Sequence, residues 1–288
     1  MGRILDEAEA QSSVSTQTYR ALFDLSGKTA IVTGALGLLG RRFCRGLAES
    51  GAQVAVVDLD ADKAQQFASR LAQDYGTRAA GIGCDVSNPA AVDHMIGQTC
   101  EVLGDIHILL NNAASKSEHL DAFFAPFEEY SLDEWRRVMS VNLDGAFLTA
   151  QAVGRQMIAQ GTGGSIIQTS SIYGLLGPDD RIYQDSHYLG TTINTPAVYS
   201  ASKAAIVGLT NHLAARWAKH GIRVNTLTPG GVESGQNDTF VKNYSNRVPM
   251  GRMAKADELV GAALFLASDA SSYVTGQNLF VDGGLSAW

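Results

Sequence analysis

From about residue 28 to the C-terminal end, short apolar runs rich in β-formers alternate with amphipathic stretches of helix length. This alternation restricts the fold more than any other feature, because it is the signature of repeated βαβ units. Strands are expected at Thr29–Thr33, Gln53–Asp58, Arg78–Asp85, Ile106–Asn111, Ser165–Thr169, Ile222–Thr228 and Gln277–Val281. Runs such as AIV and VAVV lack polar interruption, which suits strands covered on both faces, as in a parallel sheet flanked by helices. Helices are expected near 38–50, 61–74, 88–103, 131–160, 197–219 and 256–268, each filling a right-handed crossover. Seven strands imply one continuous sheet, and no repeat, low-complexity tract or linker divides the chain, so residues 26–288 form a single α/β domain.

Three segments fall outside the alternation. Residues 1–25 are polar and weakly periodic, and are expected to form a mobile arm or a helix that packs on a neighbour. Residues 177–196 (GPDDRIYQDSHYLGTTINTP) are too polar for core and long for a connection, a class of loop that is usually functional or disordered. Residues 230–251, rich in Gly and Asn, are a second candidate mobile loop.

Charge and cysteine usage exclude several classes. With 22 basic against 29 acidic residues, a net charge of −7 and no basic run, nucleic acid is not an expected partner. The N-terminal stretch MGRILDEAEAQSS carries acids where a signal peptide would be apolar, and no run of 18 apolar residues occurs, so no membrane association and a cytoplasmic location are expected. Cys44, Cys84 and Cys100 make neither an even set nor a metal-type pair, which reads as buried free thiols in a reducing compartment. No metal site is expected.

The first strand runs directly into TGALGLLG, Thr33 to Gly40, and a helix follows. Glycines there permit a tight turn and close backbone approach, so that the helix N-terminus can hold a pyrophosphate. Asp58 ends the second strand, 18 residues beyond Gly40, where an acid accepts from both ribose hydroxyls of NAD and repels the 2′-phosphate of NADP. Asp60 is the better placed helix cap.

TGALGLLG, Cys84-Asp85-Val86, Asn111-Asn112-Ala113-Ala114, Ser170-Ser171, Tyr199-Ser200-Ala201-Ser202-Lys203 and Pro229-Gly230 stand in the order seen in the short-chain dehydrogenase/reductase family, which the chain resembles over about residues 25–288. The resemblance implies a Rossmann-type doubly wound sheet and hydride transfer with a nicotinamide dinucleotide. It also implies that Gly34, Gly37, Leu39, Gly40, Asp58, Asp85, Val86, Asn112, Tyr199, Lys203, Pro229, Gly230 and Val232 hold the cofactor. By the same resemblance Tyr199 is the acid/base, Lys203 also binds the nicotinamide ribose, Ser171 polarises the substrate oxygen and Asn142 supports a proton-relay water. A homotetramer is expected on the same ground. The chain departs from the usual TGxxxGxG in having Leu38 at the middle glycine, and from NNAG in having NNAA. Gly37 stands where NADP-using relatives often carry a basic residue, which agrees with Asp58. Ser234, near the family's usual Thr after Pro-Gly, keeps a hydroxyl for the carboxamide.

Tyr199 and Lys203 are i and i+4 on a helix, so phenol and ammonium project from one face. A nearby cation is expected to pull the phenol pKa down toward working pH. Tyr199 follows Ser171 by 28 residues, more than twice the family's usual spacing. The inserted residues include Asp179, Asp180, Arg181, Tyr183, Gln184, Asp185, His187 and Tyr188, groups suited to a polyhydroxylated or ionic substrate. Arg181, Tyr183 and His187 are the candidate substrate contacts, with Arg181 either an anion anchor or paired with Asp179, Asp180 or Asp185. The expected activity is NAD-dependent oxidation or reduction between a secondary alcohol and its ketone, on a polar, sugar-like small molecule. The alternatives are an NADPH-dependent 3-oxoacyl or other apolar ketone reductase, and a non-catalytic NAD-binding sensor.

Overall fold

The computed structural model describes residues 18–117, 119–188 and 190–288. Seven parallel strands form the sheet: β1 (Thr29–Thr33), β2 (Gln53–Asp58), β3 (Ala79–Gly83), β4 (Ile108–Asn111), β5 (Gly164–Thr169), β6 (Ile222–Pro229) and β7 (Asn278–Val281). Their spatial order is β3-β2-β1-β4-β5-β6-β7. The longer helices are α1 (Leu38–Glu49), α2 (Ala61–Tyr75), α3 (Pro89–Leu103), α4 (Leu132–Met139), α5 (Ala146–Gln160), α6 (Ala197–Trp217), α7 (Asp238–Ser245) and α8 (Val260–Ala267), with a single helical turn at Leu120–Phe123. Side chains alternate across each strand, so Ala30 and Val32 enter one core with α1, α2 and α8, whereas Ile31 enters the other with α3, α5 and α6. The sheet is therefore buried on both faces, which is why its strands lack polar alternation.

Element ends depart from expectation for local reasons. The third strand stops at Gly83, not Asp85, because Asp85 turns back to accept from the Ser87 amide at 2.9 Å. The fourth begins at Ile108, not Ile106, since the Ile106 amide donates to the Gln160 side chain. The helix expected over 131–160 is divided by a π-helical turn, Ser140–Gly145, and the one expected over 256–268 opens as a 3-10 turn, Ala256–Leu259. Residues 230–251 are not a featureless loop: they contain α7, capped by Asn237, whose side chain accepts from the Phe240 amide. Asp60 caps α2 through Lys63, as its position predicts.

Of the arm expected over 1–25, residues 1–17 lie outside the described residues. Tyr19–Phe23 form a 3-10 turn, and Leu25 is already core, its amide bonded to Ser50 O at 2.8 Å. The insertion at 177–196 folds into a 3-10 turn, Asp180–Ile182, and a hairpin pairing His187–Tyr188 with Thr191–Thr192. Among the described residues no helix is long and apolar enough to cross a membrane.

Candidate active site

Strand order reverses between β1 and β4, and in an open α/β sheet the crevice beyond such a switch point is where ligands sit. A cleft of about 760 Å³ opens there. Its walls include Gly34, Gly37, Leu39, Asp58, Asp85 and Val86 on the early half of the sheet, and Asn112, Tyr199, Lys203, Pro229, Gly230 and Val232 on the later half. Gly34 has φ +61°, and a Cβ there would lie 2.9 Å from Ala113 Cα, so only glycine lets the turn approach β4. Gly37 is the N-cap of α1 and supplies no side-chain cap, leaving that helix end to an anion. Gly40 is the one expected cofactor residue that does not line the cleft. A Cβ on it would meet Gly34 O at 2.2 Å, so this glycine serves helix–turn packing. The Asp58 carboxylate accepts from the amides of Leu36 (2.8 Å) and Leu59 (2.9 Å), which fixes it at the cleft wall with lone pairs to spare. Asn112 donates to Thr33 O and Gly34 O and so ties β4 to the turn.

The reactive side chains converge from two elements. Ser171 stands two residues beyond the end of β5 and caps the 3-10 turn Ile172–Gly174, its side chain accepting from the Tyr173 amide. That turn lies against α6 because Gly174 has no Cβ, which would sit 2.6 Å from the Lys203 carbonyl carbon. Tyr199 and Lys203 come from the first two turns of α6. Lys203 is 4% exposed, its Nζ donating to Thr169 O at 3.0 Å, and burial pulls its pKa down to about 8. The expected lowering of the Tyr199 phenol by this cation is not what the structure gives. Burial pushes the phenol up, a hydrogen bond with Ser171 opposes that rise, and Lys203 Nζ lies 5.9 Å from the ring centre. Asn142 stands on the π turn and does not line the cleft: its Oδ1 accepts from the Ser115 amide at 2.8 Å and its Nδ2 faces Ser202 Oγ at 3.4 Å.

A second cavity of about 490 Å³ adjoins the first and shares with it Lys116, Ser171, Tyr199, Gly230 and Ser234. Its outer wall is largely aromatic: Phe123, Phe124, Tyr183, Phe240 and Tyr244. The sequence pointed to Tyr183 alone of these. Phe123 and Phe124 belong to a stretch without periodicity, and Phe240 and Tyr244 to the segment expected to be a loop. Their i, i+4 spacing was the available signal.

The charged part of the insertion is elsewhere. Arg181 is a correction to its proposed role as anion anchor: its guanidinium is bidentate to Asp179 at 2.8 Å on both arms and 71% exposed. His187 is exposed and outside the cavity lining, with its carbonyl accepting from Asn237. Arg247 reaches Asp179 at 3.0 Å, and Asn243 donates to the carbonyls of Ile182 and Gln184, so the insertion is clasped to α7. Among the described residues no cluster of three or more His, Cys, Asp or Glu is placed to hold a metal ion.

Residues 34–286 match the family model described as Enoyl-(Acyl carrier protein) reductase. The chain is 36% identical to the D-threitol dehydrogenase of Mycolicibacterium smegmatis over 271 residues, 91% of this chain and 94% of that one. It is 37% identical to the galactitol 2-dehydrogenase (L-tagatose-forming) of Cereibacter sphaeroides over 280 residues, 94% and 99% of the two chains. The crystal structure of a gluconate 5-dehydrogenase from Burkholderia cenocepacia in complex with NADP and tartrate superimposes with a TM-score of 0.83 at 38% identity, covering 94% of this chain and all of that one. With the switch-point cleft, the glycine turn and the Ser171, Tyr199, Lys203 constellation, these matches show that the chain is an oxidoreductase of the short-chain dehydrogenase/reductase family.

Proposed function

We propose that this protein is an NAD-dependent dehydrogenase that interconverts a secondary alcohol and its ketone on a polyol or sugar-like substrate. The observation that carries the reading is that Ser171 and Tyr199 line both cavities, so a substrate in the aromatic chamber and a dinucleotide in the cleft would meet at these two hydroxyls. The cleft fits such a cofactor: the α1 N-terminus is uncapped, Gly34 permits close approach, and Asp58 supplies acceptors for a ribose. Asp58 and Gly37 favour NAD, because a 2′-phosphate would face a carboxylate with no base beside it. NADP in the related gluconate 5-dehydrogenase means that relatives of this fold admit that dinucleotide, so the preference rests on these two residues.

When bound, the nicotinamide supplies the hydride acceptor or donor. As the phenolate, Tyr199 takes the proton of the substrate hydroxyl during oxidation, and as the phenol it returns that proton during reduction. Ser171 hydrogen-bonds the substrate oxygen and orients it toward the phenol. Lys203, fixed by Thr169 O, holds the nicotinamide ribose and donates toward the proton path. Asn142 bridges the π turn to Ser115 and to Ser202 of α6 and so supports the segment behind the site. An intact acid/base set argues against a sensor that binds without turnover.

The threitol and galactitol dehydrogenases support a polyol substrate, and aromatic walls accept the C–H faces of such molecules. The same walls give a second reading, an apolar or cyclic alcohol. A panel of polyols, sugars, sugar acids, cyclic diols and 3-oxoacyl esters, followed by NADH absorbance, tests the proposal. Turnover confined to acyl ketones with NADPH would overturn it. The free thiols of Cys44, Cys84 and Cys100 fit a cytoplasmic enzyme. Exposed Phe147, Ile158 and Trp288 fit burial in a homotetramer, which light scattering at micromolar concentration would reveal by mass.

A further inference from the structure

The acid/base Tyr199 stands at the third position of α6, in a turn that the helix itself secures poorly. The first amides of any helix have no partner inside it. α6 begins after Pro196, which supplies no side-chain cap, and the Ser200 amide reaches the Pro196 carbonyl only at 3.4 Å. Val198 packs with Phe123 and Val138 and so keeps the turn on the domain. The residues that lead into the turn are held from outside by two hydrogen bonds. Asn194 Nδ2 donates to Phe124 O at 2.8 Å, and the Thr195 hydroxyl is bonded to the hydroxyl of Tyr183. Tyr183 belongs to the insertion and is itself braced. Its ring packs on Phe240 with ring centres 5.7 Å apart, and Asn243 of α7 donates to the carbonyls of Ile182 and Gln184 on either side of it. The Tyr183 hydroxyl therefore joins a braced segment to a residue four positions before Tyr199.

We propose that Tyr183 is a positioning residue for the acid/base: through Thr195 its hydroxyl fixes the first turn of α6, so that the Tyr199 phenol stays in register with Ser171. This rests on the dehydrogenase reading above and gives the insertion a part in the chemical step, not in substrate binding alone. A proton-transfer group must lie within hydrogen-bond reach of the proton it moves, and a displacement of about 1 Å can cost ~10²-fold in rate. The packing of Val198 limits the displacement, so the loss of this one anchor costs less than that.

The test uses Tyr183→Phe, which keeps the ring on Phe240 and removes the hydroxyl, Thr195→Val, the double variant, and Thr195→Ser, which keeps the hydroxyl. Hydrogen exchange of the peptide spanning residues 194–202 is followed by mass spectrometry in the cofactor-free enzyme, with the amides of β1 and β4 as the control for folding. Steady-state kinetics are measured with NAD and with D-threitol and galactitol as probe polyols. Exchange in the first turn of α6 should be about tenfold faster in Tyr183→Phe and Thr195→Val, and kcat about tenfold lower, with KM changed by less than about twofold. Thr195→Ser should restore most of the rate. The double variant should be no worse than either single one, because the two hydroxyls form one link. Unchanged exchange, a loss confined to KM, or losses that add in the double variant would overturn the proposal, the last two marking Tyr183 as a substrate contact. Faster exchange in an enzyme that turns over no alcohol of the wider panel would uphold the anchor and remove the dehydrogenase reading.

Discussion

Lys203→Met is the substitution for which the structure yields a magnitude. Lys203 is 4% exposed, and burial alone lowers its pKa from 10.5 to about 8. At ~1.4 kcal/mol per tenfold change in proton affinity, holding this ammonium inside costs the folded state about 3 kcal/mol near pH 7. The sign follows from a cation whose folded pKa is depressed. The penalty is full below about pH 8, where both states are charged, and fades as pH rises toward 10.5, where the unfolded chain also loses its proton. Methionine of similar length removes the penalty but leaves Thr169 O without its donor, a loss of about 1–2 kcal/mol. The variant should therefore be more stable by about 1–2 kcal/mol near pH 7, and equal or less stable near pH 10. Calorimetric melts of the cofactor-free enzyme should show a Tm increase of a few degrees at the lower pH, at ~2–4 °C per kcal/mol. Turnover should be lost in the same variant, since activity here requires a buried charge that costs stability. A lower Tm at pH 7, or a difference that does not change with pH, would refute the reasoning.

Tyr199→Phe keeps the ring and removes the transferable proton, so kcat should fall by about 10²–10⁴-fold with dinucleotide affinity retained by fluorescence titration; half the wild-type rate would sink the acid/base role. The wild type should prefer NAD to NADP in kcat/KM, and Asp58→Ala should narrow that preference while lowering stability by about 1–2 kcal/mol, because the Leu36 and Leu59 amides lose their acceptor. An unchanged cofactor ratio in the variant would remove Asp58 from specificity. Replacing residues 179–194 with a Gly-Ser link should abolish substrate turnover with little change in NAD affinity, and should also lower Tm, because Ile182 packs with Tyr244, Val248 and Met253 and Asn237 and Asn243 lose their partners. Unaltered kinetics would show the insertion to be dispensable.

The alternation of apolar runs and helical stretches determined the seven-stranded sheet by itself, since strands covered on both faces are built mainly of apolar residues, and Gly34 of TGALGLLG marks the turn because its φ of +61° and its approach to Ala113 leave no room for a side chain. The motif order likewise located Asp58, Ser171, Tyr199 and Lys203, whose chemistry depends on residue type and short-range spacing. Only the tertiary structure decided what the long segments do. It turned Arg181 onto Asp179 two residues away, because a local ion pair closes at less entropic cost than a distant one, and it gave the chamber aromatic walls from Phe123, Phe124, Phe240 and Tyr244. It also set the proton affinities: sequence spacing places Lys203 beside Tyr199, but burial, a property of the whole packed domain, pushes the phenol up and the ammonium down.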